Sequence, residues 1–166
     1  GDARVVCLPA GEVSVVLADG DGAVEPVSES VLAAVERQVT AVPSGEAVNG
    51  GTFAELDARA VVLGSWLASR GVRRGSVVGV LLDRSVDLVA ALLGVWKAGA
   101  AFVPLDPSYP AGRIASMLAD AGVSRVVTSA RYADRFAPGV EVLTVDSVPR
   151  VESVVLPGVV DLDDLA

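Results

Sequence analysis

The sequence of 166 residues contains no histidine, one cysteine and one lysine. Without histidine, the chain can form neither a Ser–His–Asp triad nor a metal site with imidazole ligands. The single cysteine, Cys7, excludes an internal disulfide and is consistent with a reducing compartment. Because no histidine is present to act as its base, we interpret Cys7 as an unreactive thiol.

Aromatic residues are also scarce, at 4% of the sequence, whereas apolar residues make up 52%. A core must therefore be built mainly from Ala, Val and Leu. The 13 basic and 21 acidic residues give a formal charge of −8. A chain with this acidic balance and no basic cluster is a poor candidate for binding nucleic acid. The excess of Ala, Val, Gly and Arg over Lys, Ile and Asn indicates a bacterial source with a GC-rich genome.

Long apolar runs are missing as well. The longest, at residues 88–96, is too short to span a bilayer and ends at Lys97. No basic leader followed by an apolar stretch opens the chain, so the sequence shows no export signal. We therefore predict a cytoplasmic protein with no nucleic-acid partner and no membrane partner.

Strand and helix patterns alternate between residues 76 and 145. The continuous Val/Leu run at 76–82 is typical of a strand that is covered on both faces. The elements predicted after it are a helix at 86–98 capped by Ser85, a strand at 101–105, a helix from Pro110 to Gly122, a strand at 124–128, a short helix at 130–136 and a strand at 141–145. Pro104 indicates an edge, a bulge or the end of its strand. This order predicts an α/β fold with right-handed crossovers, a largely parallel sheet and helices on both faces.

Two amphipathic helices are predicted upstream of this layer. The first follows Ser28, an N-cap candidate, and ends before Pro43; its apolar positions are Val31, Leu32, Val35, Val39 and Val42. The second begins at Thr52, which forms a capping box with Glu55, and ends at Gly71. Its apolar stripe consists of Phe53, Leu56, Ala60, Leu63 and Leu67.

Two stretches carry a family resemblance. GTFAELDARA at residues 51–60 resembles the first core motif of amino-acid-activating adenylation domains, and WKAGAAFVPLDP at 96–107 resembles the second. The intervening GSVVGV at 75–80 and DRS at 83–85 also resemble the family sequence, as does LADAG at 118–122. SYPAGRI at 108–114 favours the nonribosomal peptide synthetase branch of the adenylate-forming, AMP-binding ligases over acyl-CoA ligases and luciferases, which share the fold. The chain is therefore identified as the N-terminal portion of such an adenylation domain.

The resemblance implies a domain organisation. Residues 28–166 correspond to an incomplete N-terminal subdomain, part of the large N-terminal lobe of an adenylate-forming enzyme. Residues 1–27, with one apolar run at 13–17, are predicted to be a linker or strand, and the resemblance implies an upstream condensation domain as their origin. Between Pro43 and Thr52 the family carries a strand pair, and the short Gly-rich stretch here predicts that this pair is degraded or missing. The family's phosphate loop, amino-acid pocket and catalytic lysine lie beyond the position of Ala166.

The resemblance also implies a function. The intact parent would condense an amino acid with ATP, using Mg²⁺, and pass the aminoacyl adenylate to the phosphopantetheine thiol of a carrier protein in antibiotic biosynthesis. Its partners would be the remainder of the adenylation domain and neighbouring condensation and carrier-protein domains. This chain alone is predicted to be inactive and to bind no cofactor. Two alternatives remain: a truncated, non-catalytic module that acts as spacer or docking surface, and a flavodoxin-like module with a ligand pocket at its strand ends.

Lys97 and Asp106 are the residues that most invite a catalytic interpretation. Lys97 lies near the end of a buried helix, where a cation stabilises the negative pole, so we predict a structural role for it. Asp106 lies between Leu105 and Pro107, where an aspartate typically forms a turn.

The remaining candidates also have structural explanations. Asp163 and Asp164 are interpreted as solvated charges rather than metal ligands. Gly50 and Gly51 precede a helix, but without a strong strand before them or a Walker-type lysine they are a weak phosphate signal. Trp66 and Trp96 are predicted to be core residues. We therefore predict no catalytic, cofactor-binding or metal-binding residue in this chain.

Overall fold

The structure, a computed structural model, describes residues 29–149. Its helices are α1 (Val31–Ala41), α2 (Phe53–Ser69), α3 (Val86–Lys97) and α4 (Ala111–Asp120). Its strands are β1 (Glu46–Val48), β2 (Gly51–Thr52), β3 (Val77–Leu81), β4 (Ala101–Pro104), β5 (Arg125–Thr128) and β6 (Glu141–Thr144), with 3₁₀ helices at Ala130–Arg135 and Val145–Ser147. Cys7, Ser28, Asp163, Asp164 and the predicted strand at 13–17 lie outside the described residues.

Four of these strands form a sheet in the order β4-β3-β5-β6, and every neighbouring pair is parallel. The chain leaves β3 for β4 on one side and then crosses back over β3 to reach β5, as in doubly wound folds. Strand β4 lies at the edge, as Pro104 indicated. The predicted parallel α/β sheet is confirmed.

Helices cover both faces of this sheet. On one face, Ala91 and Val95 of α3 pack with Val78 and Val80 of β3. On the other face, α4 packs with β3 and β5; the residues of this second cluster include Ile114, Leu118, Leu81 and Val126. Because β3 lies in the interior of the sheet, helices cover both of its faces, and this explains its unbroken apolar sequence.

The antiparallel hairpin of β1 and β2 corrects one expectation. The strand pair was predicted to be degraded or missing, and this prediction is wrong. Asn49 and Gly50 link the strands with φ of 48° and 81°, the positive values that a tight two-residue hairpin turn requires. The short Gly-rich stretch is therefore the turn itself, and Asn-Gly is among the strongest local signals for a hairpin.

Helix α2 begins and ends as the sequence predicted. The Thr52 N–H donates to Oε2 of Glu55 at 2.9 Å, and the Glu55 N–H donates to Oγ1 of Thr52 at 3.2 Å, which confirms the capping box. Gly71 follows the helix with φ of 79°. Within the stripe, Phe53 is only half-buried, whereas Gly64 is fully buried, an addition that the pattern did not predict.

Helix α3 was predicted to be buried on nearly all sides, and this holds only in part. Leu88 and Leu92 pack against the core, and the Ser85 side chain accepts from the Leu88 N–H as predicted. Trp96, however, is 36% exposed, so its prediction as a core residue is wrong. The ring lies beside edge strand β4, where no further strand covers it among the described residues, and it contacts Phe102 with 5.2 Å between ring centroids.

Candidate functional site

The carboxyl ends of β3 and β5 are joined by a network of polar side chains. Asp83, just after β3, accepts from the Tyr132 hydroxyl at 2.9 Å and forms an ion pair with Arg131. Arg131 also donates to the Tyr132 hydroxyl at 2.7 Å. In doubly wound folds, ligands bind where the strand order reverses, which here is between β3 and β5. This network therefore spans the crevice in which such a fold would hold a ligand.

The loop after β4 is fixed from two directions. Arg135 donates to the backbone carbonyls of Pro107 and Tyr109. Asp106 accepts from the Ser108 N–H at 2.7 Å, and this hydrogen bond lowers the pKa of the Asp106 carboxyl below its ordinary value. The predicted turn at Asp106 is thus confirmed, and its carboxylate stabilises the loop.

An open cleft of about 540 Å³ lies between this loop and the end of β3. Its floor is apolar, formed by Leu82, Leu88, Leu105 and Met117, and its rim carries Asp83, Arg84, Asp106 and Ser108. A second groove of about 900 Å³ lies between the first halves of α2 and α3 and the segment after β6. At its rim, Arg59 and Asp87 form an exposed ion pair at 2.8 Å.

The carboxylates at the rim of the first cavity are engaged by other groups of the protein, Asp83 by Tyr132 and Arg131 and Asp106 by the Ser108 amide. Across residues 29–149, no group of three or more acidic, histidine or cysteine side chains is placed to hold a metal ion. The same stretch contains no helix that is both long and apolar enough to cross a membrane.

Lys97 connects three helices. Its Nζ lies 2.6 Å from Oε1 of Glu36 in α1 and 3.1 Å from Oδ1 of Asp57 in α2. Burial favours the neutral amine, but the hydrogen bond to Glu36 and the neighbouring Asp57 carboxylate outweigh it and raise the pKa of Lys97 above its ordinary value. Lys97 therefore stays charged near neutral pH. A nucleophilic or basic lysine needs the opposite shift, so this geometry supports the structural role.

The candidates Gly50 and Trp66 also make contacts within the protein. The Gly50 N–H donates to Oε1 of Glu46 at 2.9 Å, so this amide is part of the hairpin rather than open to a phosphate. Trp66 is half-buried against the core, and the Arg70 guanidinium lies 3.9 Å from its ring centroid. Sequence reasoning did not identify the Asp83–Tyr132 contact. The only available signal was an aspartate directly after a buried strand.

Fold and site together define a doubly wound α/β layer. Comparison with known sequences assigns this layer to a family: the family model of the AMP-binding enzyme matches residues 33–165. The chain belongs to the AMP-binding enzyme family. Its relatives include nonribosomal peptide synthetases, and the prediction that it corresponds to the N-terminal portion of an adenylation domain is confirmed.

Among curated relatives, tyrocidine synthase 2 of Brevibacillus parabrevis is 52% identical over 77 residues, which are 46% of this chain and 2% of that protein. The N-(5-amino-5-carboxypentanoyl)-L-cysteinyl-D-valine synthase of Streptomyces clavuligerus is 42% identical over 123 residues, 70% of this chain and 15% of that protein. The chain thus spans a small fraction of the length of the relatives it matches.

Solved structures agree with this assignment. The nonribosomal peptide synthetase FmoA3, bound to α-methyl-L-serine-AMP, superimposes with a TM-score of 0.67 at 36% identity, covering 75% of this chain and 15% of that one. AB3403, a four-domain nonribosomal peptide synthetase bound to AMP and glycine, gives a TM-score of 0.69 at 28% identity, covering 83% of this chain and 10% of that one.

Proposed function

We propose that this chain forms the structural front part of an adenylation domain. In the intact enzyme, that domain activates an amino acid with ATP to an aminoacyl adenylate and loads it on a carrier-protein thiol during nonribosomal peptide biosynthesis. The observation that carries the proposal is the position of the second motif. Residues 96–107 run from the end of α3 through edge strand β4 to the Asp106 turn, so the motif builds the layer rather than a reaction centre.

Several charged side chains at the carboxyl end of the sheet are engaged by other groups of the protein, whereas Arg84 at the rim of the first cleft is exposed. Phosphates are bound by exposed cations or free backbone amides, and metal ions by clusters of carboxylates. At the carboxyl end of the sheet, Arg131 is paired with Asp83, and Arg135 donates to two carbonyls. The carboxylate of Asp106 is occupied by the Ser108 amide. We therefore assign nucleotide and metal binding in the intact enzyme to residues outside 29–149.

This scaffold role implies particular partners. The remainder of the adenylation domain would cover the β4 edge and the groove between α2 and α3. Condensation and carrier-protein domains would adjoin it in a cytoplasmic assembly. The carrier would present its thiol on phosphopantetheine. Residues 1–27 remain a predicted linker or strand, and the contact pattern divides the chain slightly later, between Ser30 and Val31.

The test is amino-acid-dependent exchange of pyrophosphate into ATP, measured on the full-length protein that contains this chain and on purified residues 1–166. We expect exchange by the full-length protein with one or a few amino acids and none by residues 1–166. Exchange by residues 1–166 would contradict the scaffold role. A full-length protein that exchanges with no amino acid would instead favour a non-catalytic spacer or docking module.

Two substitutions in the full-length protein distinguish a structural role of these carboxylates from a catalytic one. Asp83→Asn and Asp106→Asn each remove a carboxylate from the carboxyl end of the sheet without changing its size. We expect exchange to fall by less than about tenfold, because removing a true general acid or base typically costs about 10²–10⁴ in rate. A loss of about 10³ for either variant, with the fold intact by circular dichroism, would place that residue in the reaction centre.

A further inference from the structure

Helix α1 lies at the periphery of the α/β unit. It has no buried residue, and Val31 and Val42 at its two ends are 63% and 47% exposed. Its apolar contact with the rest of the unit comes from Leu32 and Val35, which are partly buried. They pack on a small cluster whose buried members are Leu56, Ala60, Ala90 and Leu93. Packing of this depth holds a helix only weakly.

The C-terminal end of α1 is attached through the backbone. The Gly45 N–H donates to the Val42 carbonyl at 2.8 Å, forming a turn. The Ala54 N–H then donates to the Pro43 carbonyl, and the Phe53 N–H donates to the Gly45 carbonyl, each at 3.0 Å. These bonds connect residues 42–45 to the first turn of α2. This end of the helix therefore has a fixed pivot.

The ion pair of Glu36 with Lys97 attaches the middle of α1 to α3. Glu36 is bonded to Lys97 at 2.6 Å, and Lys97 also lies 3.1 Å from Asp57. The side chains of Glu36, Lys97 and Asp57 are 34%, 17% and 24% exposed, so the cluster is substantially withdrawn from water. Charged hydrogen bonds in such surroundings are stronger than exposed ones. If α1 moved away, Lys97 would keep Asp57 as a partner, so the separated state would not leave a lone charge on the core.

We propose that α1 is a strap, hinged at residues 42–45 and latched onto α2 and α3 by Lys97 held between Glu36 and Asp57. When latched, the strap covers the apolar cluster around Leu56 and Leu93. Since the contact pattern divides the chain between Ser30 and Val31, α1 is the first element of the α/β unit. The inference does not depend on the proposed catalytic activity.

The experiment is hydrogen–deuterium exchange with mass spectrometry on the full-length protein. In the native protein, we expect amides of α1 to exchange faster than those of α2 and α3, because the strap opens without global unfolding. Glu36→Ala removes the strap's half of the latch and keeps a good helix former in place. We expect it to accelerate exchange in α1 by about tenfold, the effect of losing one partly exposed charged hydrogen bond, and to leave α2 and α3 unchanged.

Arg59→Ala is the matched control. It breaks the Arg59–Asp87 ion pair, which joins α2 to α3 without involving α1. Exchange in α1 should then stay within about twofold of the native value. The strap is overturned if Glu36→Ala leaves α1 exchange unchanged, or if the acceleration spreads equally through α2 and α3. Should Glu36→Ala not fold, the native profile decides, because α1 amides as slow as those of α2 also overturn the proposal.

Discussion

A Cβ atom built on Gly64 would lie 2.9 Å from the carbonyl oxygen of Gly94, so α2 and α3 touch backbone to backbone where they cross. The same added atom would lie 3.3 Å from Cβ of Lys97. On the other helix, a Cβ at Gly94 would lie 2.7 Å from Cδ2 of Leu63. These two glycines therefore set the distance between the helices and, with it, the position of Lys97 relative to Asp57.

We predict that Gly94→Ala and Gly64→Ala each lower the free energy of unfolding by about 1–3 kcal/mol, the usual cost of overpacking a dense core. An added Cβ at Gly64 meets the Gly94 carbonyl oxygen, and one at Gly94 meets the Ala60 carbonyl oxygen at 3.0 Å in addition to Leu63. Because backbone atoms cannot rotate away, both substitutions should be damaging. Chemical denaturation followed by circular dichroism measures both.

Gly112 provides the control for this pair. It also lies in a helix, α4, but an added Cβ would meet nothing within 4 Å. Gly112→Ala should raise the free energy of unfolding, by up to about 1 kcal/mol, because alanine favours helix and restricts the unfolded chain. If Gly64→Ala proved as harmless as Gly112→Ala, the close crossing of α2 and α3 would be wrong.

Periodicity and turn chemistry were sufficient to predict the parallel layer, the Thr52–Glu55 capping box of α2 and the Ser85 N-cap of α3. They could not predict the Gly64–Gly94 crossing, because an apolar stripe shows which side of a helix is buried and not how closely a neighbour approaches. The exposure of Trp96 was missed for a related reason, since it depends on the ring's place beside an edge strand. The Asp83–Tyr132 bond joins residues 49 positions apart, a separation that no local pattern reports.

Two arginines in the same 3₁₀ helix should differ in their effect on stability. Arg135 is part-buried and donates to two backbone carbonyls, whereas Arg131 and its partner Asp83 are 57% and 49% exposed. Lysine cannot reproduce the two-pronged contact of Arg135, so Arg135→Lys should cost about 1–3 kcal/mol. Arg131→Lys should cost less than about 1 kcal/mol, because exposed ion pairs contribute little. Equal costs in denaturant titrations would contradict the loop-fixing role of Arg135.

The capping box at the start of α2 predicts a dependence on pH. The backbone hydrogen bond from Thr52, followed by its side-chain hydrogen bond, lowers the pKa of Glu55. A lowered pKa means that the stabilising effect is complete above the unfolded-state value, about 4.3, and is lost as pH falls through the folded-state pKa. The difference in stability between the native protein and Glu55→Gln should therefore be constant near neutral pH and vanish in acid. A difference that persists unchanged at pH 2 would contradict this.

Replacing one residue on edge strand β4 should change how the protein associates. The N–H groups of Ala101 and Leu105 donate to Ser76 and Val80 in the β3 region. Because successive residues of a strand alternate in direction, the N–H of Phe102 points away from the sheet, and at position 104 the proline has no N–H to offer. Pro104 therefore leaves this position of the edge without a backbone donor for another strand.

Pro104→Thr restores an outward donor. It should increase the amount of dimers and larger species in size-exclusion chromatography with light scattering. The control Ala101→Thr adds β-propensity without an outward donor, so it should not increase association. Equal association of the two variants would show that the proline does not protect this edge.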